Sequence, residues 1–345
     1  MRVLHRDLKA GEIKVRIGNA DDLWHLSNLL VPGDRVRAST YRREESKSDK
    51  LRPDRAEKVR VTLTIRVDKS EFQAFSDRLR VSGIIVEGPQ DLSRHHTLNV
   101  GVDDDLTLIK DAWKPHELTR IDEAVEASQR PMVTFLSLDD EEVVVAQLHQ
   151  YGVHELATIR APGHGKMFPI GETKDTFFEE VRSKLKATAL GEALIVLGPG
   201  FTRDAFLRFL RDRDPTFATR TIEHGTSQAG MRGISEALRA GVGAKVFGES
   251  RVGFETRLVE EVLEAIATNR PCAYGRAEVG TAVEVGAVET LLVLDSAVRD
   301  LEVERLMRDV EAARGRVVLV SHHHEAGARL GGLGGLAALL RYPIR

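Results

Sequence analysis

The sequence is poor in the residues on which several protein classes depend. It has a single cysteine, Cys272, so no disulfide can form within the chain, which suits a reducing compartment. Aromatic residues make up only 5% of the chain, too few for a platform that stacks many bases. No apolar run approaches the roughly 20 residues that cross a bilayer, and the first residues lack a signal-peptide profile. We therefore expect a cytoplasmic protein with no membrane partner.

An excess of either charge is also missing. The net charge is −3 at pH 7, which excludes a uniformly basic coat for nucleic acid, so any contact with RNA must come from a local patch. What the chain does have is a hydrophobic content of 42% with 30% charged residues, as in globular proteins. Its 345 residues are enough for two or three domains with cores of their own.

Residues 1–127 have the pattern of a small β domain. Polar and apolar residues alternate in several short runs separated by turn residues, which predicts a small barrel or sandwich of half-buried strands. One helix interrupts them, with Asp21 and Asp22 in its first turn and four leucines along one stripe. The strand-like runs are 12–17, 34–41, 59–67, 83–86 and 97–100.

The loop between the second and third of these runs is charged and has few apolar residues. From Arg42 to Arg60, eight lysines and arginines stand against five acids, and Pro53 lies near the middle. One interpretation is a solvated hairpin loop. The other is an arm that becomes ordered on a polyanion such as RNA. Its candidate contacts are Lys47, Lys50, Arg52 and Arg55, flanked by Arg35 and Arg37 on the preceding strand.

Residues 130–247 change in composition after a polar helical connector at 113–128. Three apolar runs separated by short turns predict a β-meander, and β–α alternation follows, which together indicate a mixed sheet covered by helices. The predicted strands are 132–138, 142–148, 153–159, 193–197 and 217–223, and the predicted helices are 174–190, the segment after Thr202 and 228–240.

The Gly-Pro-Gly-Phe turn after the strand at 193–197 stands out in this region. Thr202 is the predicted N-cap of the helix that follows. Phe201 follows the turn at Gly198 and Gly200 and directly precedes the predicted helix. A bulky aromatic at such a position is either packed under the helix or presented to a partner. A phosphate-binding loop is disfavoured because the turn lacks the Lys-Ser/Thr ending.

Residues 248–345 predict a second α/β domain. Strands at 288–294 and 316–320, joined by a charged helix at 299–314, indicate parallel neighbours in a three-layer sandwich. Further helices are predicted at 255–268 and 277–285. The run of histidines at 322–324 places only His322 and His324 on one face of a strand, so we interpret it as a loop with exposed histidines rather than a metal site.

Three stretches of the chain carry a resemblance: DDLWHLSNLLVPGDRVRAST at 21–40, the GPGF turn at 198–201 and the segment 325–343. They resemble the Pelota family, ribosome-rescue relatives of archaeal and eukaryotic class-1 peptide-release factors. The resemblance extends over essentially the whole chain. It implies an Sm-like β-barrel for 1–127, a mixed-sheet α/β central domain for 130–247 and a three-layer α/β domain for 248–345.

The resemblance also implies a function and partners. We expect ribosome rescue and mRNA surveillance (no-go and non-stop decay), with the charged arm probing the A site of a stalled ribosome and its mRNA. An elongation-factor-1-alpha-like GTPase would be the delivery partner, and an ABC-type ribosome-recycling ATPase would act afterwards. The GTPase contact is carried over to Pro199, Gly200 and Phe201, with Arg203 as a charged neighbour. No cofactor is required, and we expect a monomer.

One departure separates the chain from the release factors that the family resembles. Class-1 release factors use a Gly-Gly-Gln tripeptide to position water on the peptidyl-tRNA ester, and this sequence has no such tripeptide. We therefore expect subunit dissociation without peptide hydrolysis.

Two other functions stay open at this point. A divalent-metal-dependent endonuclease that cleaves stalled mRNA would need converging carboxylates, for which Asp21 and Asp22 are the candidates, with the remaining metal ligands unknown. Only this alternative calls for a cofactor, a divalent metal cation. A general RNA-binding protein would bind free structured RNA as well as it binds ribosomes, with strong salt dependence.

Overall fold

A computed structural model describes most of the chain and divides it into two units, Met1–Arg130 and Pro131–Arg345. The described residues are 1–43, 58–128, 132–161, 170–187, 193–242, 250–298 and 300–344. The second unit holds two separate sheets. The three-domain division at 127/130 and 247/248 stays a prediction. In the described part of the chain, no helix combines the length and the apolar character needed to cross a membrane.

The first unit is built on one antiparallel sheet of seven strands. Its strand order is β1-β2-β7-β3-β4-β5-β6, and no pairing of β6 with β1 occurs among the described strands. The β-rich class is confirmed, while the first and last strands were not expected from the alternation. The strands are β1 (Arg2–Asp7), β2 (Glu12–Arg16), β3 (Arg35–Arg43), β4 (Lys58–Gln73), β5 (Arg78–Glu87), β6 (His95–Val100) and β7 (Asp105–Ile109).

Alternation along these strands sorts their side chains into an inner and an outer face. On β3, Val36 and Ala38 are buried, and the paired residues of β4 include the buried Leu63 and Ile65. The helices α1 (Ala20–Leu29) and α2 (Pro115–Ala127) pack on the inner side, where the leucine stripe of α1 joins the same core. The predicted helix and its apolar stripe are therefore confirmed.

The first sheet of the second unit is mixed, as predicted. Strands β8, β9 and β10 form an antiparallel meander, and β11 runs parallel to both β8 and β12. Helices α3 and α4 cover one face and α6 covers the other. The elements are β8 (Val133–Leu138), β9 (Glu142–Leu148), β10 (Val153–Arg160), α3 (Ile170–Ala187), β11 (Ala193–Gly198), α4 (Gly200–Arg213), α5 (Pro215–Ala218), β12 (Thr221–Gly225) and α6 (Gly230–Arg239).

Strand β12 begins later than the sequence pattern predicts. The run predicted as a strand at 217–223 starts inside α5, because Pro215 is suited to the first position of a helix and Asp214 precedes it as the N-cap residue. The strand forms only from Thr221, after Arg220 N–H has bonded to the carbonyl of Phe217. The element type is right and its start is wrong by four residues.

The second sheet of this unit is the centre of a three-layer sandwich. Its order is β13-β16-β14-β15, with β14 and β15 parallel and β16 antiparallel to both of its neighbours. Helices α8 and α9 pack on one face, and α7 and α10 pack on the other. The elements are α7 (Arg251–Ala267), β13 (Cys272–Tyr274), α8 (Gly275–Glu284), β14 (Val288–Leu294), α9 (Leu301–Ala312), β15 (Arg316–Val320), α10 (Glu325–Gly332) and β16 (Leu336–Leu340).

Candidate functional site

The two nuclease candidates lie at the first turn of α1, and one of them is fully buried. Asn19 caps the helix by accepting a hydrogen bond from the Asp22 backbone N–H at 3.0 Å. One carboxylate oxygen of Asp22 lies 2.6 Å from the amino group of Met1, and the other accepts from the Gly18 N–H at 2.7 Å. Burial raises the pKa of Asp22, while the ammonium and backbone donors favour its ionised form.

This geometry assigns Asp22 to the fold rather than to metal chemistry. The carboxylate of Asp22 has no exposed surface at which a substrate or metal could approach, and its oxygens already bind an ammonium and an amide. Within the described part of the chain, no group of three or more His, Cys, Asp or Glu side chains could hold a metal ion. The geometry therefore gives no support to the endonuclease alternative built on Asp21 and Asp22.

The two basic candidates on β3 lie on the outer face of the first sheet and are differently partnered. Arg37 lies between two carboxylates, 3.4 Å from Glu12 and 3.5 Å from Glu87. A hydrogen bond from the Thr64 hydroxyl, helped by the Arg37 guanidinium, lowers the pKa of Glu87. The Arg35 guanidinium lies 3.8 Å from the Asp111 carboxylate. The other candidates, Lys47, Lys50, Arg52 and Arg55, lie outside the described residues.

The Gly-Pro-Gly-Phe turn is set by two glycines with backbone conformations that other residues rarely adopt. Gly198 has φ +145°, and a Cβ there would lie 2.0 Å from the Leu138 carbonyl oxygen. Gly200 has φ +65°, and no heavy atom would lie within 4 Å of a Cβ on it, so its side faces open space. The turn is therefore anchored to β8 at its first glycine and open at its second.

Helix α4 begins earlier than the sequence predicts, and this exposes Phe201. Pro199, not Thr202, is the N-cap residue, and it contributes no side-chain hydrogen bond. Phe201 then lies in the first turn of the helix with 87% of its surface exposed. The interpretation that packs Phe201 under the helix is wrong, and its presentation to a partner stays a prediction.

Arg203 forms hydrogen bonds that connect helix α4 to the turn. Its guanidinium donates to the Asp204 carboxylate at 2.7 and 3.0 Å and to the Gly198 carbonyl at 3.4 Å. A Cβ on Gly225, at the end of β12, would come within 2.8 Å of Arg203 Nη1. The structure thus brings Pro199, Gly200, Phe201 and Arg203 together at the carboxyl ends of β11 and β12, the edge at which open α/β sheets present ligand-contacting loops.

The histidine run forms a joint between the two sheets of the second unit. The expectation of exposed histidines is wrong for His324, whose side chain is buried and bonds Glu255 at 2.7 Å. Glu255 also accepts from the Ser321 N–H at 2.9 Å and from Arg251 Nε at 2.7 Å. Ser321 Oγ donates to the Tyr151 carbonyl at 2.8 Å, which ties this loop to the turn between β9 and β10.

His322 completes this joint on its outer side. Its ring lies 2.7 Å from the Asp295 carboxylate, whose hydrogen bond raises the pKa of His322. His323 instead packs against the Tyr151 ring with centroids 5.8 Å apart, and burial lowers its pKa. Sequence reasoning missed Glu255 and Ser321 as partners, because helix α7 and the end of β15 are brought together only by the tertiary fold.

Comparisons with known proteins cover the whole chain. A family model described as Pelota N-terminal domain matches residues 1–125, and one described as eRF1 domain 3 matches residues 253–344. A protein pelota homolog of Methanocella arvoryzae is 42% identical over 344 residues, or 97% of this chain and 96% of that protein.

Two solved structures extend the comparison to the fold. The Thermoplasma acidophilum Pelota protein aligns with a TM-score of 0.80 at 26% identity, over 100% of both chains. S. cerevisiae Dom34 is described as a translation termination-like factor that is involved in RNA quality control pathways and interacts with Hbs1. It aligns with a TM-score of 0.55 at 19% identity, over 100% of this chain and 99% of Dom34, which shows a shared fold.

Proposed function

The chain belongs to the Pelota family, and from this membership we propose that it is a ribosome-rescue and mRNA-surveillance factor that works by docking rather than by covalent chemistry. It enters the A site of a stalled ribosome with a translational GTPase and promotes dissociation of the subunits without hydrolysing peptidyl-tRNA. An ABC-type ATPase completes recycling. The sequence contains no Gly-Gly-Gln tripeptide, which supports the omission of a hydrolytic step.

The observation that carries the docking proposal is the exposure of Phe201. A phenylalanine with 87% of its surface in water gives up most of the burial free energy that an aromatic side chain provides, about 1.5–3 kcal/mol. The glycine before it has φ +65°, and Arg203 donates to the Gly198 carbonyl at the start of the same turn. An aromatic residue exposed in this way fits the central anchor of a protein–protein contact.

We assign the GTPase contact to Pro199, Gly200 and Phe201, with Arg203 as the residue that positions them. A partner protein, Hbs1, is named for Dom34. For this chain we propose a partner of the elongation-factor-1-alpha-like GTPase class. Arg203 is half of a local ion pair with Asp204 at 2.7 Å, so its main contribution is to orient the turn rather than to provide a free charge.

Sucrose-gradient sedimentation tests the function directly. Ribosomes stalled on a truncated mRNA are incubated with the full-length chain, its GTPase, the recycling ATPase, GTP and ATP. We expect the monosome peak to convert to subunits, with the nascent peptide still attached to tRNA. Replacing GTP with GDP is the matched control and should leave the monosomes intact. Monosomes that persist in the complete reaction, with all proteins folded, would contradict the proposal.

A further inference from the structure

The outer face of the first sheet carries a row of polar and basic side chains, to which the RNA-contact candidates Arg35 and Arg37 belong. Alternation along β3 places Arg35, Arg37, Ser39 and Tyr41 on this face. The register pairs Tyr41 with Arg60, Ser39 with Thr62, Arg37 with Thr64 and Arg35 with Arg66 of β4. The row is polar, basic and hydroxyl-bearing along its length, and Tyr41 is its one aromatic residue.

Charge is unevenly compensated along this face. Arg37 and Arg35 have carboxylate neighbours. On strand β2, which is separated from β3 by β7, Lys14 and Arg16 share Asp105 at 3.2 and 2.7 Å. Arg60 and Arg66 are exposed, and neither forms an ion pair within the part of the chain that the structure describes. Among the described residues of this face, the arginines without an ion pair therefore lie on β4, whereas the candidates of β3 have carboxylate neighbours.

Tyr41 supplies a flat, accessible ring beside one of these charges. It is 66% exposed, and cross-strand partners such as Tyr41 and Arg60 have Cβ atoms about 4.5–5.5 Å apart. Aromatic rings next to arginines are the elements with which proteins hold single-stranded nucleic acid, the ring stacking on a base and the guanidinium binding phosphate. Double-stranded RNA offers no unstacked base to such a ring.

We propose that Tyr41, Arg60 and Arg66 form a contact row for single-stranded RNA, with Tyr41 stacking on one base and the two arginines binding phosphates. From Arg60 to Arg66 the row spans about 20 Å at about 3.3 Å per residue, room for several nucleotides. The inference rests on the proposed function in that the RNA would be a strand of the ribosome–mRNA complex. Charge complementarity selects a polyanion as the occupant.

Fluorescence anisotropy with a fluorescein-labelled 12-nucleotide oligouridylate tests the row on the full-length chain. Tyr41→Ala should weaken binding about tenfold, and Tyr41→Phe, which keeps the ring, should bind like the wild type. Arg60→Ala and Arg66→Ala should each reduce the slope of log K against log salt by about 0.7. Arg16→Ala, the matched control whose guanidinium is paired with Asp105 at 2.7 Å, should change this slope less. Equal binding by Tyr41→Ala and wild type, or equal slopes for all arginine variants, would overturn the proposal.

Sedimentation of the same variants with stalled ribosomes separates this inference from the function. If the wild type associates with ribosomes and Tyr41→Ala associates equally well, the row is wrong and the proposed function stands. If the wild type fails to associate while the oligonucleotide results hold, the proposed function falls and the row remains an RNA site. If Tyr41→Ala loses the GTPase partner but keeps the oligonucleotide, the row is a protein contact and the proposal is overturned.

Discussion

The N-termini of α1 and α4 both carry candidate functional residues predicted from the sequence, but the two helix starts are capped and packed in opposite ways. At α1 a side chain caps the helix, and Asp22, one of the two acidic residues of its first turn, is buried against an ammonium group. At α4 the N-cap residue is a proline without a capping side chain, a glycine with φ +65° follows, and the first-turn aromatic is exposed. The first arrangement stabilises the fold, while the second gives up stability that a better cap and a buried ring would provide.

This contrast explains why acidity at a helix start is a poor sign of chemistry. Asp22 satisfies unpaired donors and complements the helix dipole, which any stable helix can use. Phe201, by contrast, buries little of its surface against the described residues. A residue whose placement costs stability is the better candidate for binding, and the contrast can be tested by asking which substitutions unfold the protein and which remove only a partner.

The largest expected effect is on Asp22. Asp22→Ala leaves a buried ammonium without its carboxylate and removes the acceptor of the Gly18 N–H, so we expect a loss of about 3 kcal/mol in the free energy of unfolding. Urea denaturation followed by circular dichroism measures it. The control is Asp212→Ala, an exposed acid of α4 that forms no ion pair among the described residues, which should change the value by no more than about 0.5 kcal/mol. Equal stability of the two variants would contradict a structural role for Asp22.

The next effect is on the partner and not on the fold. Phe201→Ala should weaken GTPase binding by about 2 kcal/mol, roughly thirtyfold, because it removes a central aromatic anchor. Its free energy of unfolding should stay within about 0.5 kcal/mol of the wild type. Isothermal titration with the GTP-bound partner and urea denaturation give the two values. Phe75→Ala, an aromatic residue of the first unit that is 84% exposed, is the control and should leave the affinity unchanged. If both variants lose affinity equally, exposure alone does not identify the contact.

A smaller loss is expected at the cap of α1. Asn19→Ala removes the hydrogen bond to the Asp22 N–H and should lower the free energy of unfolding by about 1 kcal/mol. Asn19→Ser, which keeps an acceptor, should recover most of this loss. Thermal denaturation of the three proteins gives the comparison. No difference between Asn19→Ala and the wild type would show that burial, and not capping, maintains this helix start.

The smallest effect depends on pH and lies at the far end of α4. Hydrogen bonds from Lys186, 2.6 Å away, and from Thr216 lower the pKa of Asp214 from 3.8 to about 2. A depressed pKa means that the folded state favours the carboxylate, so this contribution is present above about pH 4 and is lost as the pH falls toward 2. The stability difference between the wild type and Asp214→Asn should therefore shrink over that interval. A difference independent of pH would contradict the assignment.

Much of the fold follows from local pattern, and the rest depends on tertiary pairing. The apolar runs of the meander β8–β10 and the apolar stripe of helix α1 predict these elements directly. Strand β16, Leu-Ala-Ala-Leu-Leu, is composed of good helix formers and is a strand only because β13 and β14 pair with its two edges. Strand β13 has three residues, too few to show a period.

The candidate sites divide in the same way. The sequence indicated the importance of the turn at Phe201 but left open whether the ring is packed or exposed, since that depends on where α4 begins. The pairing of Asp22 with Met1 could not be predicted, because the two are brought together only when the sheet has formed. Neither could the different compensation of Arg37 and Arg60, which depends on Glu12 and Glu87 from other strands.

The start of α4 also specifies the shape of whatever binds it. Pro199 contributes no side-chain hydrogen bond to the first amide groups of the helix, which lie next to Phe201 in the sequence. A complementary surface would therefore combine an apolar pocket for the Phe201 side chain with carboxylate or carbonyl oxygens on its rim that accept hydrogen bonds from these amide groups. Such a surface would complete the helix from outside, so that docking would supply the cap that the chain itself omits.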